Sequence, residues 1–253
     1  MEFYYSILLG KFRLNINLNT KKVMKNLILL KLLPVIFITI VFSSCISIER
    51  TIRINEDGSG KEMLTVYYKK EFLDFLKSAA MAFDSVKGKD IIDSLYNEDT
   101  FTKDIKKNYK KINGVTLKDI KAKMNPDSSM NLYIDYTFEN IEKLSETLRS
   151  IEKKDENSFG NSKTEISFKK SGKKYLFNYN FQKVDQGDTN SSMSNSFSAF
   201  FKDQKMTFNI TFPYNITSSN ALKTNGKTLT WEFDMDKMMT DTTKFIMEAE
   251  MKK

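Results

Sequence analysis

Residues 46 to 68 read ISIERTIRINEDGSGKEMLTVYY, and this stretch decides the fold class. Ile46, Ile48, Ile52 and Ile54 fall on alternate positions, and Leu64, Val66 and Tyr68 resume that period after Asn55-Glu56-Asp57-Gly58-Ser59-Gly60. Alternation of apolar and polar residues marks a half-buried strand, so the stretch is two strands joined by a tight glycine turn. The turn has a superficial likeness to a calcium loop. It lacks the twelve-residue ligand series with its closing glutamate, and strands rather than helices flank it, so it reads as a hairpin.

Downstream the same device recurs, with helices between. From Glu71 the apolar residues Phe72, Phe75, Leu76, Ala79, Ala80 and Phe83 are spaced by three and four, which predicts a helix over Glu71 to Val86. A second helix is expected around Phe101, Ile105, Tyr109 and Ile112, stopped by Gly114. Val115 to Met124 and Asn131 to Phe138 form a second hairpin around Asn125-Pro126-Asp127, where proline presets the φ of a turn. Ile141, Leu144, Leu148 and Ile151 make the stripe of a third helix, followed by a polar loop over Lys153 to Ser162. A third hairpin turns at Ser171-Gly172 and returns with Tyr175, Phe177, Tyr179 and Phe181 on one face. Gln182 to Asn195 is polar, and Phe197, Phe200 and Phe201 predict a short helix or capping segment. The end is β again: Met206 to Phe212, then Leu229, Trp231 and Phe233 after the hairpin signal Asn225-Gly226, then Phe245 to Met251. The fold class is α+β, an antiparallel sheet built from successive hairpins with amphipathic helices packed on one face.

Upstream lies a different kind of sequence. Leu27 to Leu30 and, after Lys31, Leu32 to Phe42 form an apolar run whose uncharged part is about 11 residues long, short of the roughly 20 needed to span a membrane. Lys21, Lys22 and Lys25 precede it and Ser43-Ser44 follow, the order of a secretory signal. Met24 opens a complete signal by itself. Residues 1–23 are therefore expected to be a start-site extension, residues 24–44 the signal peptide and residues 45–253 a single exported domain. Val41-Phe42-Ser43-Ser44-Cys45 resembles the lipobox of bacterial lipoproteins, with Phe42 where an aliphatic residue is usual. That resemblance implies cleavage between Ser44 and Cys45 and acylation of the Cys45 thiol, the only cysteine in the chain. Against this stand an uncleaved signal anchor and a buried free cysteine.

The chain carries 40 basic and 32 acidic residues, a formal charge of +8. The first 44 residues hold six of the bases and one of the acids, leaving a mature part near +3. So balanced a domain gives no support to nucleic-acid binding. Histidine is absent altogether, which excludes Ser-His-Asp and Cys-His nucleophiles and the common zinc sites. No carboxylate pair or Ser–Lys spacing singles itself out, so the chain is not expected to be an enzyme, and it calls for no cofactor or metal. Asp234 and Asp236 read as solvated strand-end carboxylates.

The aromatic residues carry the remaining signal. Phe72, Phe75 and Leu76 on the first helix, Tyr175, Phe177, Tyr179 and Phe181 on the aromatic strand, and Trp231 are candidates to line an apolar cavity between sheet and helix. They equally suit an ordinary filled core. Three further segments carry a resemblance: Glu56-Asp57-Gly58-Ser59-Gly60 after the first strand, Phe208-Asn209-Ile210-Thr211-Phe212-Pro213 with Ser219-Asn220-Ala221, and Gly226 to Trp231. In this order they resemble the LppM-type lipoprotein domain, which implies a helix-grip-like fold and a lipid-binding cavity. The expectation is a lipid-anchored lipoprotein of the cell envelope, held by acyl chains on Cys45 at the outer membrane's periplasmic face, the cytoplasmic membrane's outer face or the cell surface. Its domain binds a lipid or amphiphile without catalysis. The alternative is a structural or adhesive envelope protein with a filled core.

Overall fold

The turns of the first two hairpins organise the fold. A computed structural model describes residues 45–83, 97–152, 162–183, 201–240 and 244–253, all within the compact unit Ser44–Lys253. The expectations for residues 1–44, the end of the first helix to Val86, the loops over 153–161 and 184–195, and Phe197 and Phe200 lie outside the described residues.

Strands β1 (Ile46–Ile54) and β2 (Gly60–Tyr68) pair antiparallel across the first turn, and β3 (Val115–Met124) and β4 (Met130–Phe138) across the second. The two turns are chemically the same. In each, an Asn backbone N–H donates to the Ser carbonyl four residues on, at 2.8 Å for Asn55–Ser59 and for Asn125–Ser129. In each, an aspartate accepts from that serine twice: Asp57 at 3.0 and 2.7 Å, Asp127 at 3.0 and 2.6 Å. The residue after the aspartate is left-handed, Gly58 at φ +84° and Ser128 at φ +65°. Only the first is the residue for which that conformation costs nothing.

Helices follow both hairpins. Helix α1 (Lys70–Phe83) comes after β2, and α3 (Ile141–Glu152) stands in the same place after β4, each about 70 residues from its counterpart. The hairpins meet at an antiparallel β2–β4 seam in which Gly60 faces Phe138 and Tyr68 faces Met130. That register is symmetric, so two ββα units join as equivalents. Helix α2 (Glu98–Tyr109) comes before β3. Its cap is Asn97, whose side chain accepts from the Thr100 N–H at 3.0 Å, with Glu98 and Asp99 in the first turn and Lys106 and Lys107 in the last. These charges match the helix dipole, and Gly114 at φ +77° ends the connection.

The remaining strands complete one sheet and build another. β7 (Lys205–Thr211), β9 (Lys223–Asn225) and β10 (Thr228–Asp234) extend the first to seven strands in the order β3-β4-β2-β1-β7-β10-β9. β1 and β7 are parallel, with Ile48 opposite Met206 and Ile52 opposite Ile210. β5 (Ser162–Ser171), β6 (Lys174–Lys183), β8 (Asn215–Ser219) and β11 (Lys244–Lys252) make a four-stranded sheet, β5-β6-β11-β8. The α+β class built of hairpins therefore holds, with the strands divided between two sheets. β8, β9 and the short helix α4 (Met235–Thr240) are additions to the sequence reading, and Asp236 lies in the first turn of α4 rather than at a strand end. Asp234 does end β10, where the ammonium of Lys237 at 2.9 Å holds its carboxyl below the usual range.

One face of the larger sheet is covered and the other is wet. Ile52, Ile54, Val66, Leu132, Ile134, Tyr136, Phe208, Ile210, Leu229 and Trp231 are buried on alternate positions of their strands. Phe72 of α1 lies on Tyr68, Tyr109 of α2 on Tyr136, and the rings of β6 on those of β7 and β10. Helices and second sheet thus share the task of covering this face. The opposite face is a ladder of polar side chains, such as Asn209 to Glu49 at 2.8 Å and Thr230 to Asn209 at 2.8 Å.

Candidate functional site

Two charged residues break the apolar alternation on the covered face. In β1 the inward positions are Ile46, Ile48, Arg50, Ile52 and Ile54, and in β2 they are Gly60, Glu62, Leu64, Val66 and Tyr68. The hairpin register sets Ile52 opposite Glu62 and Arg50 opposite Leu64, so the two charges are diagonal neighbours. Arg50 Nε donates to Glu62 Oε1 at 2.5 Å. Glu62 is directly opposite Tyr136 across the β2–β4 seam, and the Tyr136 hydroxyl donates to Glu62 Oε2. Glu62 and Tyr136 are 0% exposed, Arg50 8%.

This cluster is expensive. Removing a charge from water costs several kcal/mol per ion, and a buried pair recovers that only where its geometry is good and its other polar groups are satisfied. Here they are not all satisfied: Arg50 Nη2 and the Tyr109 hydroxyl are buried without a hydrogen-bond partner among the described residues. Tyr109 leans on Tyr136 with ring centroids 5.1 Å apart, and Arg50 lies 5.8 Å from the Phe208 ring. Burial works against the guanidinium charge, but Glu62, helped by Tyr136, outweighs it and keeps Arg50 protonated above its ordinary value. Burial, then the Glu62 charge, pushes the Tyr136 and Tyr109 hydroxyls above theirs. At neutral pH Arg50 is therefore a cation and both phenols are neutral.

The residues proposed from sequence to line a cavity fall into two groups, one on α1 and one on β6 and β10. Phe72 is buried between Tyr68 (6.0 Å, stacked) and Phe201 (6.3 Å), and Phe75 and Leu76 are half-buried on the same helix. On β6, Phe177 meets Phe212 edge-on at 5.0 Å and Trp231 at 6.4 Å, and Tyr179 meets Phe208 at 5.5 Å. Tyr175 stacks on Tyr214 at 4.0 Å, and Phe181 lies 6.3 Å from Phe245. Trp231 is buried, and its Nε1 donates to Asn220 Oδ1 at 2.8 Å. Phe208 touches both Tyr179 and Arg50, so the aromatic layer and the polar cluster adjoin. Sequence reasoning missed Arg50, Glu62, Tyr109 and Tyr136 as a group. Its available signal was opposite charges on the buried parity of one hairpin.

Cys45 is half-buried against the core, and its carbonyl accepts from the Lys69 N–H at 2.8 Å, one step beyond the β1–β2 ladder. Burial, then the Glu71 charge, raises its thiol. On the outer face of the four-stranded sheet, Leu176, Asn178, Ser218, Asn220, Glu248 and Glu250 border a polar groove of about 450 Å³. Among the described residues no helix is long and apolar enough to cross a membrane. Lys244–Lys252, at the C-terminal end, is an interior strand of the smaller sheet.

Comparison with curated proteins finds no match. Among solved structures the chain is similar to the folded domain of Mycobacterium tuberculosis LppM, solved by NMR. That match has 12% identity over 83% of this chain and 90% of the other, with a TM-score of 0.39. It is also similar to the Mu homology domain of Danio rerio Fcho1 with a bound Eps15 peptide, at 9% identity over 83% and 80% of the two chains, with a TM-score of 0.23. The family model of the LppM domain, which is not a family of known enzymes, matches residues 132–244. From β4 to the start of β11, then, this chain resembles the LppM-type lipoprotein domain.

Proposed function

We propose that this protein is an exported lipoprotein, anchored by acyl chains on Cys45, whose domain binds a lipid or other amphiphile of the cell envelope without catalysis. The observation that carries the binding reading is the interior itself: an aromatic layer adjoining a buried polar cluster with unused donors. A purely structural core would do as well or better with apolar residues of similar volume in place of that cluster. Apolar walls with a few convergent polar groups are what an amphiphile site requires.

The anchor reading rests on the order of charge, apolar run, small residues and cysteine before β1. Each buried acyl methylene contributes about 0.8 kcal/mol, so two or three chains hold a domain at a membrane without a spanning helix. Because Cys45 already joins the sheet through Lys69, the domain would sit against the bilayer with no intervening linker. Intact mass tests this: the wild-type chain should carry a diacylglyceryl adduct on a mature N-terminal Cys45, and Cys45→Ala should lose both processing and adduct. An unchanged adduct in Cys45→Ala refutes the anchor. The binding reading is tested by native mass spectrometry of gently purified protein. A stoichiometric lipid adduct distinct from the anchor supports it, and a clean mass after incubation with envelope lipids refutes it.

The second reading, a structural or adhesive envelope protein, is favoured by the ring-on-ring packing of Phe177 and Tyr179, which are 3% exposed and occupied by other rings. The same measurement decides between the two.

A further inference from the structure

A buried ion pair with spare donors has a chemical preference of its own. Both oxygens of Glu62 are engaged, Oε1 by Arg50 Nε and Oε2 by the Tyr136 hydroxyl. What remains around that carboxylate is donor capacity: Arg50 Nη2 and the Tyr109 hydroxyl, each more than nine-tenths buried and without a partner among the described residues. They flank one centre, since Arg50 is bonded to Glu62 and the Tyr109 ring packs on the ring of Tyr136, whose hydroxyl is bonded to the same carboxylate. Two unmade hydrogen bonds at one buried place are far costlier than the same groups would be in water.

We propose that Arg50 Nη2 and the Tyr109 hydroxyl form the polar subsite of the domain's interior, and that it takes an uncharged acceptor oxygen, the ester or amide carbonyl of a neutral amphiphile. This deepens the binding function proposed above and rests on it. The charge count excludes the obvious alternative. Arg50 is neutralised by Glu62, so a carboxylate or phosphate brought to Arg50 would add a second anion beside Glu62 where water screens little. A carbonyl accepts the same hydrogen bonds without adding charge. The aromatic layer adjoins the cluster through Phe208, and because its rings pack on one another the apolar part of the ligand has to part them to lie there. A neutral diacylglycerol-like lipid meets both requirements, and a free fatty acid meets only the second.

The experiment uses the full chain, purified in detergent and delipidated, with 1,2-dioleoylglycerol, oleate and dioleoylphosphatidylglycerol as probes. Binding is measured by native mass spectrometry and thermal unfolding is followed in parallel. Tyr109→Phe removes only an unpartnered hydroxyl. Its unfolding midpoint should be unchanged or raised, while its affinity for dioleoylglycerol falls about threefold to tenfold, the worth of one hydrogen bond. Arg50→Lys keeps a cation for Glu62 and deletes Nη2, and should weaken dioleoylglycerol binding in the same direction. Wild type should prefer dioleoylglycerol over oleate and over phosphatidylglycerol. Equal dioleoylglycerol binding by wild type and Tyr109→Phe overturns the subsite, as does a wild-type preference for either anion. A lowered midpoint in Tyr109→Phe with unchanged binding also overturns it, because the hydroxyl then serves a structural water only. Wild type that takes none of the three probes sinks the binding function itself, a separate result. If Arg50→Lys fails to fold, Tyr109→Phe still decides.

Discussion

Arg50 and Glu62 are worth more as a question about cost than as a contribution to stability. With Glu62 removed, Arg50 keeps a buried charge and Tyr136 loses its acceptor. Glu62→Leu should therefore destabilise the protein by about 3–5 kcal/mol in urea unfolding. The combination Arg50→Met, Glu62→Leu and Tyr136→Phe removes every polar group that depends on the pair. It should unfold within about 1 kcal/mol of wild type or later, because hydrophobic replacements of similar volume are often neutral or stabilising. A triple variant as weak as the single one would mean that the network holds the sheet together by its own geometry. The positions were readable, as breaks in the alternation of Ile46 to Ile54 and Gly60 to Tyr68. The pairing was not, since Glu62 and Tyr136 are 74 residues apart across the β2–β4 seam and no local pattern announces Tyr136 as the partner of Glu62.

At the scale of elements, the hairpins were legible because their turns carry their own chemistry. Asn-x-Asp with a following serine specifies a bonded turn wherever it occurs, and the glycine or left-handed serine after the aspartate sets its shape. The strands β8 and β9 were not legible: they are short, mostly exposed and have no clear alternation. The serines hydrogen-bonded to Asp57 and Asp127 hold both carboxyls below their ordinary value. A depressed carboxyl stabilises the fold above its unfolded pKa and ceases to do so as pH falls through the folded one. Asp57→Ala with Asp127→Ala should therefore unfold at lower urea than wild type at neutral pH, and the gap should close as pH falls below the ordinary aspartate range. A gap that persists in acid would assign the loss to turn geometry rather than to charge. Gly60 belongs to the seam itself. A Cβ there would stand 2.1 Å from the Arg53 carbonyl and 2.6 Å from the Phe138 ring. Gly60→Ala should cost about 1–3 kcal/mol by overpacking. Adding Phe138→Leu should return only part of that, because the backbone oxygen cannot move away as the ring can.

For the whole molecule, periodicity alone could say that strands are half-buried but not which of them share a sheet. β5, β6 and β11 alternate much as β7 and β10 do, and the division into seven and four strands follows from pairings between distant segments, such as β1 with β7 and β6 with β11. The consequence is a seam between two sheets, marked by the chain's only tryptophan. Trp231 belongs to β10 of the larger sheet, lies 6.4 Å from Phe177 of the smaller one, and is bonded to Asn220, the residue that follows β8. Its fluorescence therefore reports the seam, whereas far-UV circular dichroism reports all strands and helices. If the sheets are stable only together, as their shared aromatic layer implies, the two signals should trace one urea transition with the same midpoint. A fluorescence change that comes first, leaving most of the dichroism in place, would show the four-stranded sheet parting from a seven-stranded sheet that stays folded. The ββα pair at the β2–β4 seam would then be an independent folding unit, with the aromatic layer as a later addition to it.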